Sequence, residues 1–473
     1  MKKKDYLATV LSIVCVSPLV ALAETRVEDV FKANCASCHG ANLQGGMAGS
    51  LLDSTWLNGG TDKSLTNAIK QGIVDRGMPA FASSLSDETI RTLVVYIREA
   101  GYRAESQAIQ TPTLNKKFNT QHHTVNTRAI TSAKGIIWAM DFLPNGDLLY
   151  TLRKGELWLL GKDGSKVQIK HTPEVWQRGQ GGMLDVMPDP DYAQNGWIYL
   201  SYSKKTGKNS SGRDIGITAI VRGKIKNNQW VEQQTLFEAP QRTHRNRGWH
   251  FGSRFAISGD YLFFSNGDEG QQNDAQDLTT QNGKIHRIYK DGRIPKDNPF
   301  FSQSGALKTI WTYGNRNPQG LVKHPTTNQI WSTEHGPRGG DELNLISKGL
   351  NYGWPKVTFG MNYDGTPITP HTNLPGMQQP IHQWTPSIAV AGMNFYTGNR
   401  FSQWQGDLFV GSLAKTQLHR LRIKNDQVIE DEIILKGLGR IRDVVTAPTG
   451  ELYITMNDRQ TKTSKIVALS PGK

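Results

Sequence analysis

Hydrophobic and polar positions beyond residue 139 repeat in one recurring unit. Each unit begins with apolar residues, passes through a turn rich in Pro, Gly or Asp, and ends in large hydrophobic residues followed by a small polar residue. Short apolar runs on either side of such a turn are typical of a β-hairpin. The copies span residues 140–152, 184–203, 255–268, 321–336, 393–413 and 444–458.

Six similar hairpins without helices between them predict an all-β six-bladed β-propeller, in which each blade buries its faces against its neighbours. A β-sandwich is the alternative, but radial repetition explains six copies of one unit better. In a propeller, the loops after the innermost strands gather around the central channel. We therefore expect the chemistry at the ends of the hairpins.

The first 23 residues have a basic start, an apolar middle and the small-residue sequence Ala-Leu-Ala at positions 21–23. This arrangement predicts a cleaved export signal peptide and a periplasmic protein. No apolar run reaches the roughly 20 residues that a membrane span requires, so the chain is expected not to span a membrane. Cleavage would discard Cys15 and leave Cys35 and Cys38.

Residues 24–103 are predicted to form a small all-α cytochrome c domain. Cys35, Cys38 and His39 make the C-x-x-C-H signature of covalent c-type haem attachment, with His39 as an axial iron ligand. A thioredoxin-like motif would need a preceding strand, whereas the residues before Cys35 have a helical pattern. A zinc site would need a second pair of ligands. Haem c is therefore the predicted cofactor of this domain.

The sixth iron ligand is expected from a later loop. Met78, in the sequence Arg-Gly-Met-Pro-Ala-Phe, is the preferred candidate, and Met47 in the preceding glycine-rich loop is the alternative. Ser86 is placed to cap a final helix with one apolar face, which we expect to end at Gly101. Together these features resemble a class I cytochrome c.

Residues 104–130 are polar and poor in large apolar side chains, and they predict a flexible linker before a propeller domain at 131–473. His122 and His123 lie in this segment, where paired histidines are usually solvated. The chain carries 55 Lys and Arg against 41 Asp and Glu, a net charge of +14. The cations of the propeller region are scattered without basic runs, which favours an acidic cofactor or partner over nucleic acid.

Polar and cationic residues at the hairpin ends are the candidates for the site: Gln180, His250, Arg316, Asn317, Lys415, Arg440 and Arg442. Each alone has an ordinary structural explanation; Arg440 and Arg442, for example, alternate as on a strand with one exposed face. Converging on one channel, however, the cations would be costly without an anionic ligand. Together they favour a bound polyanion.

Four short motifs between Trp311 and Pro355 occur in one order at close spacing: RNPQG, EHGP, GGDELNL and NYGWP. This stretch resembles the glucose/sorbosone dehydrogenase family, the soluble quinoprotein sugar dehydrogenases, and the resemblance extends more weakly from about Gly135 to Ile466. It implies the cofactor pyrroloquinoline quinone (PQQ), a planar tricarboxylate quinone, together with Ca²⁺.

The resemblance also implies roles for individual residues. His250 matches the base that takes a proton from the anomeric hydroxyl of the sugar. The residues that match cofactor-holding positions are Gln180, Arg316, Asn317, Arg440, Arg442 and Tyr363. Gly336 and Pro337 would offer carbonyl oxygens to the Ca²⁺ at the quinone, and Glu342 with the Tyr352 carbonyl matches a second calcium position.

One departure concerns the cofactor-binding lysine of the family, which follows a Ser-Leu or Ala-Leu pair. Here Ser412-Leu413 is followed by Ala414, and Lys415 comes one place later. One step along a strand reverses the direction of a side chain. Weaker cofactor retention or a different contact for Lys415 is therefore expected.

The resulting hypothesis is a periplasmic quinohaemoprotein that oxidises an aldose at C1 to a lactone and passes electrons through its haem to a periplasmic acceptor. A calcium-dependent propeller hydrolase, such as a lactonase, and a non-catalytic binding propeller with a cytochrome are the alternatives. Trp249, Trp354 and Trp384 are candidates for stacking on the sugar ring.

Overall fold

The computed structural model describes residues 25–53, 55–107, 114 and 117–472. The predicted signal peptide lies outside these residues. The described chain begins with a small helical unit followed by six β-sheets. The helices are α1 (Val27–Asn34), α2 (Ala36–His39), α3 (Asp62–Gln71), α4 (Asp87–Gln107) and α5 (Tyr192–Asn195). Among the described residues, no helix is long and apolar enough to cross a membrane.

The N-terminal unit packs α1, α3 and α4 around one apolar core. Phe31 of α1, Ile69 of α3 and Leu93 of α4 are buried in it. The Ser86 hydroxyl accepts from the Thr89 amide at 3.4 Å, so the expected cap is present. The predicted end at Gly101 is wrong, because α4 continues to Gln107. Gly101 does not adopt the left-handed φ that a terminating glycine needs.

The six sheets confirm the predicted propeller preceded by a small cytochrome-like unit. The first three sheets run from inner to outer strand as β3 (Ile137–Phe142), β4 (Leu148–Leu152), β5 (Glu156–Leu160) and β6 (Lys166–Ile169); β7 (Met183–Pro188), β8 (Ile198–Lys208), β9 (Asp214–Lys226) and β10 (Gln229–Glu238); and β11 (Phe255–Ser258), β12 (Tyr261–Asn266), β13 (Lys284–Tyr289) and β14 (Ile310–Tyr313).

The next two sheets are β15 (Pro318–Lys323), β16 (Ile330–Glu334), β17 (Asp341–Ile346) and β18 (His382–Trp384); and β19 (Val390–Phe395), β20 (Leu408–Ser412), β21 (Gln417–Lys424) and β22 (Gln427–Lys436). The last sheet has the order β23 (Arg440–Thr446), β24 (Leu452–Asp458), β25 (Thr463–Pro471), β2 (Thr124–Lys134) and β1 (Lys117–Asn119). Each hairpin found in the sequence forms the two inner strands of one blade.

The ring is closed by a strand from the other end of the domain. β2 pairs antiparallel with β25, from Val125 opposite Pro471 to Lys134 opposite Thr463. Strands therefore occupy residues 117–119 and 124–130 of the segment 104–130, for which the sequence predicts a flexible linker. The polar sequence of β2 does not indicate a strand, because only two of its side chains, Val125 and Thr127, are buried.

A buried arginine ties the inner strands together at the channel. Arg254 Nη1 lies 3.1 Å from an oxygen of Asp185 and 3.0 Å from one of Asp443, and its Nε donates to the Gln319 carbonyl. Its Nη2 donates to the Arg442 carbonyl at 2.9 Å. Burial raises the pKa of Asp185 to about 7, while Arg254 opposes this shift. This ion network fixes the backbone on which the channel-facing side chains stand.

Candidate active site

A cavity of about 270 Å³ opens where the inner strands meet. Its lining is formed by Ile136, Trp138, Arg153, Gln180, Leu184, Phe251, Gly252, Asn317, Gln319, His335, Leu413, Arg440, Arg442, Asn457 and Arg459. The set contains four arginines and no carboxylate. Four of the residues expected at the site from the sequence, Gln180, Asn317, Arg440 and Arg442, are among them.

His250 does not itself line this cavity, but it lies two residues before Gly252 and its amide is bound by Gln180, both of which do. Its backbone has a left-handed φ of 51°, which is unusual for a residue other than glycine. The Gln180 side chain holds this conformation by accepting the His250 amide at 2.9 Å. A strained backbone that is fixed by a neighbouring blade is common where a side chain must be aimed at a ligand.

The imidazole of His250 is oriented by a residue that sequence reasoning missed. Asp268 Oδ1 lies 2.6 Å from His250 Nδ1 and accepts the Gly270 amide, while Oδ2 accepts Trp354 Nε1 at 2.8 Å. The hydrogen bond from His250 and the charge of Arg316 lower the pKa of Asp268, although its burial opposes them. Ionised Asp268 makes Nδ1 the donor, so Nε2 is free to accept a proton.

Arg440 and Arg442 stand on β23 with their positive charges incompletely neutralised. Arg440 donates to the Leu413 carbonyl at 2.9 Å, and burial lowers its pKa to about 10. Burial, together with the charges of Arg440 and Arg153, lowers the pKa of Arg442 to about 9. The buried Nε of Arg442 makes no hydrogen bond in the described structure. Such a site favours an anion with several negative charges.

Arg316 and Asn317 connect the cavity to the loop after β16. Arg316 Nη1 donates to the Gly336 carbonyl at 2.8 Å, and its guanidinium lies over the Trp354 ring at 5.3 Å. Asn317 Oδ1 accepts the Gly252 amide at 3.2 Å. The Pro337 carbonyl accepts from Ser387 at 3.3 Å. Both carbonyls therefore have protein partners, and each oxygen keeps a second lone pair for another ligand.

Glu342 on β17 lies directly opposite Glu334 on β16. Burial raises the pKa of Glu342 to about 7, and burial with the neighbouring carboxylate raises that of Glu334 well above its ordinary value. The buried Oδ1 of Asn344 has no hydrogen-bond partner in the described structure. Two adjacent carboxylates and a free amide oxygen have the chemistry of a cation site. The Tyr352 hydroxyl donates to the Leu345 carbonyl at 2.5 Å.

Two residues that the resemblance implies as cofactor contacts are placed elsewhere by the structure. Tyr363 is 74% exposed, on a loop whose Gly365 carbonyl accepts the Val27 amide of α1. Lys415 does not line the cavity, and its Nζ lies over the Tyr102 ring of α4 at 3.0 Å. Lys415 is thus turned toward the helical unit, which is a different contact from the cofactor. Because β20 ends at Ser412, Lys415 stands in the loop before β21, and the alternation of a strand is not the cause of its direction.

The three candidate tryptophans differ in exposure. Trp249 is 54% exposed beside His250, whereas Trp354 and Trp384 are 7% and 6% exposed. Trp354 Nε1 is held by Asp268, and Trp384 Nε1 donates to Asp431 at 2.9 Å. Of the three, Trp249 is the one available for stacking on a ligand.

A second cavity, of about 560 Å³, lies in the helical unit. Its mainly apolar lining includes Cys35, Cys38, His39, Met47 and Met78, and both cysteines are free thiols. His39 Nδ1 contacts the Gly49 carbonyl at 3.1 Å, which leaves Nε2 for a metal. The Met78 backbone pairs with Ile73 by two hydrogen bonds, whereas Met47 is 82% exposed. Met78 is therefore the better-positioned of the two methionines.

The family model for Glucose / Sorbosone dehydrogenase matches residues 135–466. The chain belongs to this family. Residues 23–97 match a second model, described as Cytochrome C oxidase, cbb3-type, subunit III. The glucose/sorbosone dehydrogenase family is thus represented here with an N-terminal cytochrome c domain, as the resemblance implied.

One relative found by sequence and one solved structure carry the description of aldose sugar dehydrogenase. Aldose sugar dehydrogenase YliI of Escherichia coli (strain K12) is 42% identical over 352 residues, 72% of this chain and 93% of that protein. The crystal structure of the soluble aldose sugar dehydrogenase from Escherichia coli, in the apo-form, aligns with 39% identity and a TM-score of 0.69, covering 74% of this chain and all of that one.

A relative from another organism has been solved with a cofactor. The PQQ-bound form of aldose sugar dehydrogenase from Streptomyces coelicolor aligns with 25% identity and a TM-score of 0.58, covering 73% of this chain and 98% of that one. These members of the glucose/sorbosone dehydrogenase family are oxidoreductases. The present chain is accordingly a sugar dehydrogenase-type enzyme with an added cytochrome domain.

Proposed function

We propose that this protein oxidises an aldose at C1 to the lactone in the propeller, with PQQ as the hydride acceptor and the haem c of the same chain as the next electron carrier. The observation that carries the proposal is the pairing of His250 with Asp268 at 2.6 Å, next to a cavity whose described lining residues include four arginines and no carboxylate. A hydrolase would need carboxylates around the channel metal, so this lining favours the dehydrogenase.

The cavity residues fit a planar tricarboxylate. Arg440 and Arg442 have lowered pKa values because nearby cations and burial disfavour their charge, and an anion would relieve both effects. These two residues with Gln180, Arg316 and Asn317 would hold PQQ. The carbonyl oxygens of Gly336 and Pro337 would bind Ca²⁺, and Glu342 with Glu334 would bind a second cation.

When bound, PQQ would accept hydride at its C5 carbonyl and Ca²⁺ would polarise that carbonyl. His250 would take the proton of the C1 hydroxyl on Nε2, and Asp268 would stabilise the imidazolium that forms. Gln180 would hold the His250 backbone in its left-handed conformation throughout. Trp249 would stack on the sugar ring at the cavity mouth.

The helical unit would carry haem c. Its apolar cavity has the free thiols of Cys35 and Cys38 for two thioether bonds, with His39 and Met78 as the axial ligands. An N-terminal export signal would deliver the chain to the periplasm, where thioether attachment and a periplasmic electron acceptor are available. Cell fractionation and N-terminal sequencing of the mature protein test this location.

An aldose panel with a dye acceptor, run with and without added PQQ and Ca²⁺, tests the reaction. We expect turnover only with both additions, a lactone product, and a slower rate for the sugar deuterated at C1. Replacement of His250 by Ala should abolish turnover while PQQ still binds. Turnover without PQQ, or a product oxidised at another carbon, would refute the proposal.

A further inference from the structure

The helical unit rests on the propeller at the loop that carries Gly336 and Pro337. The next residue, Arg338, is only 14% exposed at its side chain and binds two carboxylates of the cytochrome: Nε lies 2.8 Å from Glu99 and Nη1 lies 3.1 Å from Glu28. Glu99 belongs to α4 and Glu28 to α1. One arginine of the propeller therefore clamps two helices of the cytochrome.

Three further contacts also place the cytochrome helices against this loop and the following segment of the propeller. Gly339 has a φ of +89°, and a Cβ at this position would lie 3.1 Å from both γ carbons of Val95 on α4. The left-handed φ thus favours a glycine here, and the loop approaches α4 closely. Met361 of the propeller is fully buried within the core of the cytochrome, and the Val27 amide donates to the Gly365 carbonyl at 3.0 Å.

Lys415 and Lys436 extend this contact along α4. The Tyr102 hydroxyl donates to the Lys415 carbonyl at 3.2 Å, and the Lys415 ammonium lies over the Tyr102 ring. Lys436 Nζ lies 2.7 Å from Glu105. The cationic propeller surface formed by Arg338, Lys415 and Lys436 thus faces an acidic and aromatic stripe of Glu99, Tyr102 and Glu105.

The α4 helix lies between the haem cavity and the propeller loop that carries Gly336 and Pro337. Leu93 and Ile97 line the haem cavity, while Val95, Glu99 and Tyr102 face the propeller, as residues two apart on a helix point to opposite sides. On the other side of the helix, the loop continues from His335, which lines the propeller cavity. The wall between the haem cavity and that loop is therefore one helix, about 10 Å thick.

We propose that this contact is a fixed electron-transfer interface, in which Arg338 is the positioning residue that holds α4 against the Gly336–Gly340 loop. This inference rests on the proposed function. The reduced propeller cofactor would pass one electron to the ferric haem, which would become ferrous. A one-electron acceptor outside the chain would then reoxidise the haem, so that the second electron follows the same route, and the two protons are released to solvent. The displaced Lys415 belongs to this interface, because it contacts Tyr102 of α4 and does not line the cofactor cavity.

The test uses the full chain with Glu28→Gln and Glu99→Gln together, which removes both negative charges paired with Arg338 without changing a residue of the cavity. Asp75→Asn, on an exposed turn of the cytochrome, is the matched control. Hydrogen exchange of the haem-loaded protein without PQQ reports the contact itself. In the double variant, exchange at residues 336–340 and in the second half of α4 should be at least about tenfold faster.

With PQQ and Ca²⁺ bound, stopped-flow mixing with aldose should give haem reduction about tenfold slower in the double variant, with dye-linked turnover within about twofold of the unmodified protein. Unchanged exchange or unchanged haem reduction would overturn the inference. If the double variant fails to hold haem, Glu99→Gln alone should show both effects more weakly. Dye-linked turnover without haem reduction in the unmodified protein would instead refute the proposed electron route.

Discussion

Asp268 holds the imidazole of His250 from the side opposite its free nitrogen, with Oδ1 at 2.6 Å from Nδ1. Trp354 fixes the carboxylate through its other oxygen at 2.8 Å. The pair thus selects one tautomer of His250 and aligns it. This arrangement depends on a carboxylate that is ionised although it is almost fully buried, as the lowered pKa of Asp268 requires.

Replacement of Asp268 by Asn should lower kcat by about a hundred- to ten-thousand-fold, because the imidazolium loses its counter-charge and the tautomer is no longer fixed. Steady-state assays with a dye acceptor measure this loss. Trp354→Phe, which removes one hydrogen bond and leaves the carboxylate, is the control and should lose about tenfold or less. A kcat for Asp268→Asn within threefold of normal would exclude the assigned role.

Arg442→Met should weaken PQQ binding at least about tenfold, because a buried charge partner of the cofactor is removed. The same substitution should raise the melting temperature of the protein without cofactor, since the repulsion among Arg442, Arg440 and Arg153 is relieved. Titration of the cofactor and thermal unfolding measure the two effects. Arg213→Met, on an exposed turn, should change neither. Equal cofactor affinity in both variants would contradict the assignment.

Trp249→Ala should raise KM for the aldose about three- to tenfold with little change in kcat, because an exposed indole beside His250 contributes stacking that is equal in the ground and transition states. Trp249→Phe should restore most of the loss. The measurement is the dependence of dye-linked turnover on sugar concentration. A fall in kcat at constant KM would point to a different role for this side chain.

Lys415→Met should leave PQQ affinity within about twofold, because the side chain lies on Tyr102 and away from the cavity. Burial lowers the pKa of Lys415 from 10.5 to about 7. Between pH 7 and pH 10.5 this lysine binds more protons in the unfolded chain than in the folded one, so it makes the free energy of unfolding rise with pH. Below about pH 7 the lysine is charged in both states, and the cost of burying its charge is then fully present. The variant should lose that part of the rise.

Unfolding free energies at pH 7 and pH 9.5 measure this effect for Lys415→Met. Lys205→Met, on an exposed ion pair with Asp214, is the control and should keep the pH dependence of the unmodified protein. A steep loss of PQQ affinity in Lys415→Met would show that the lysine reaches the cofactor despite its displacement.

The hairpins were predictable because both of their strands carry apolar side chains around a turn. The outer strands and β2 were not, since a strand at the periphery needs few buried residues. In β2, polar side chains such as Asn126 and Arg128 alternate with those that reach the core, so the segment resembled a linker. The pairing with β25 that makes it a strand is a contact between residues more than 300 positions apart.

The candidate site shows the same limit. Arginines on β23 and the asparagine after Arg316 were accessible to sequence reasoning because they stand at hairpin ends. Asp268 stands at such an end as well, two residues after β12, but its role depends on the turn that brings His250 next to it. Lys415 shows an intermediate case: it was a candidate for cofactor binding, and the extra residue before it raised the expectation of a different contact, but its position over Tyr102 depends on the helical unit and could not be read from the sequence.

The strand β2, which completes the last blade, lies before residue 135, where the family match begins. The folded propeller therefore starts earlier in the chain than the family match does. A fragment beginning at residue 135, where the family match starts, would leave β25 with an unpaired hydrogen-bonding edge along its whole length. Such an edge invites pairing between molecules, so this fragment is expected to aggregate. A fragment that begins before Lys117 would retain both β1 and β2, and it is expected to remain in solution without aggregating.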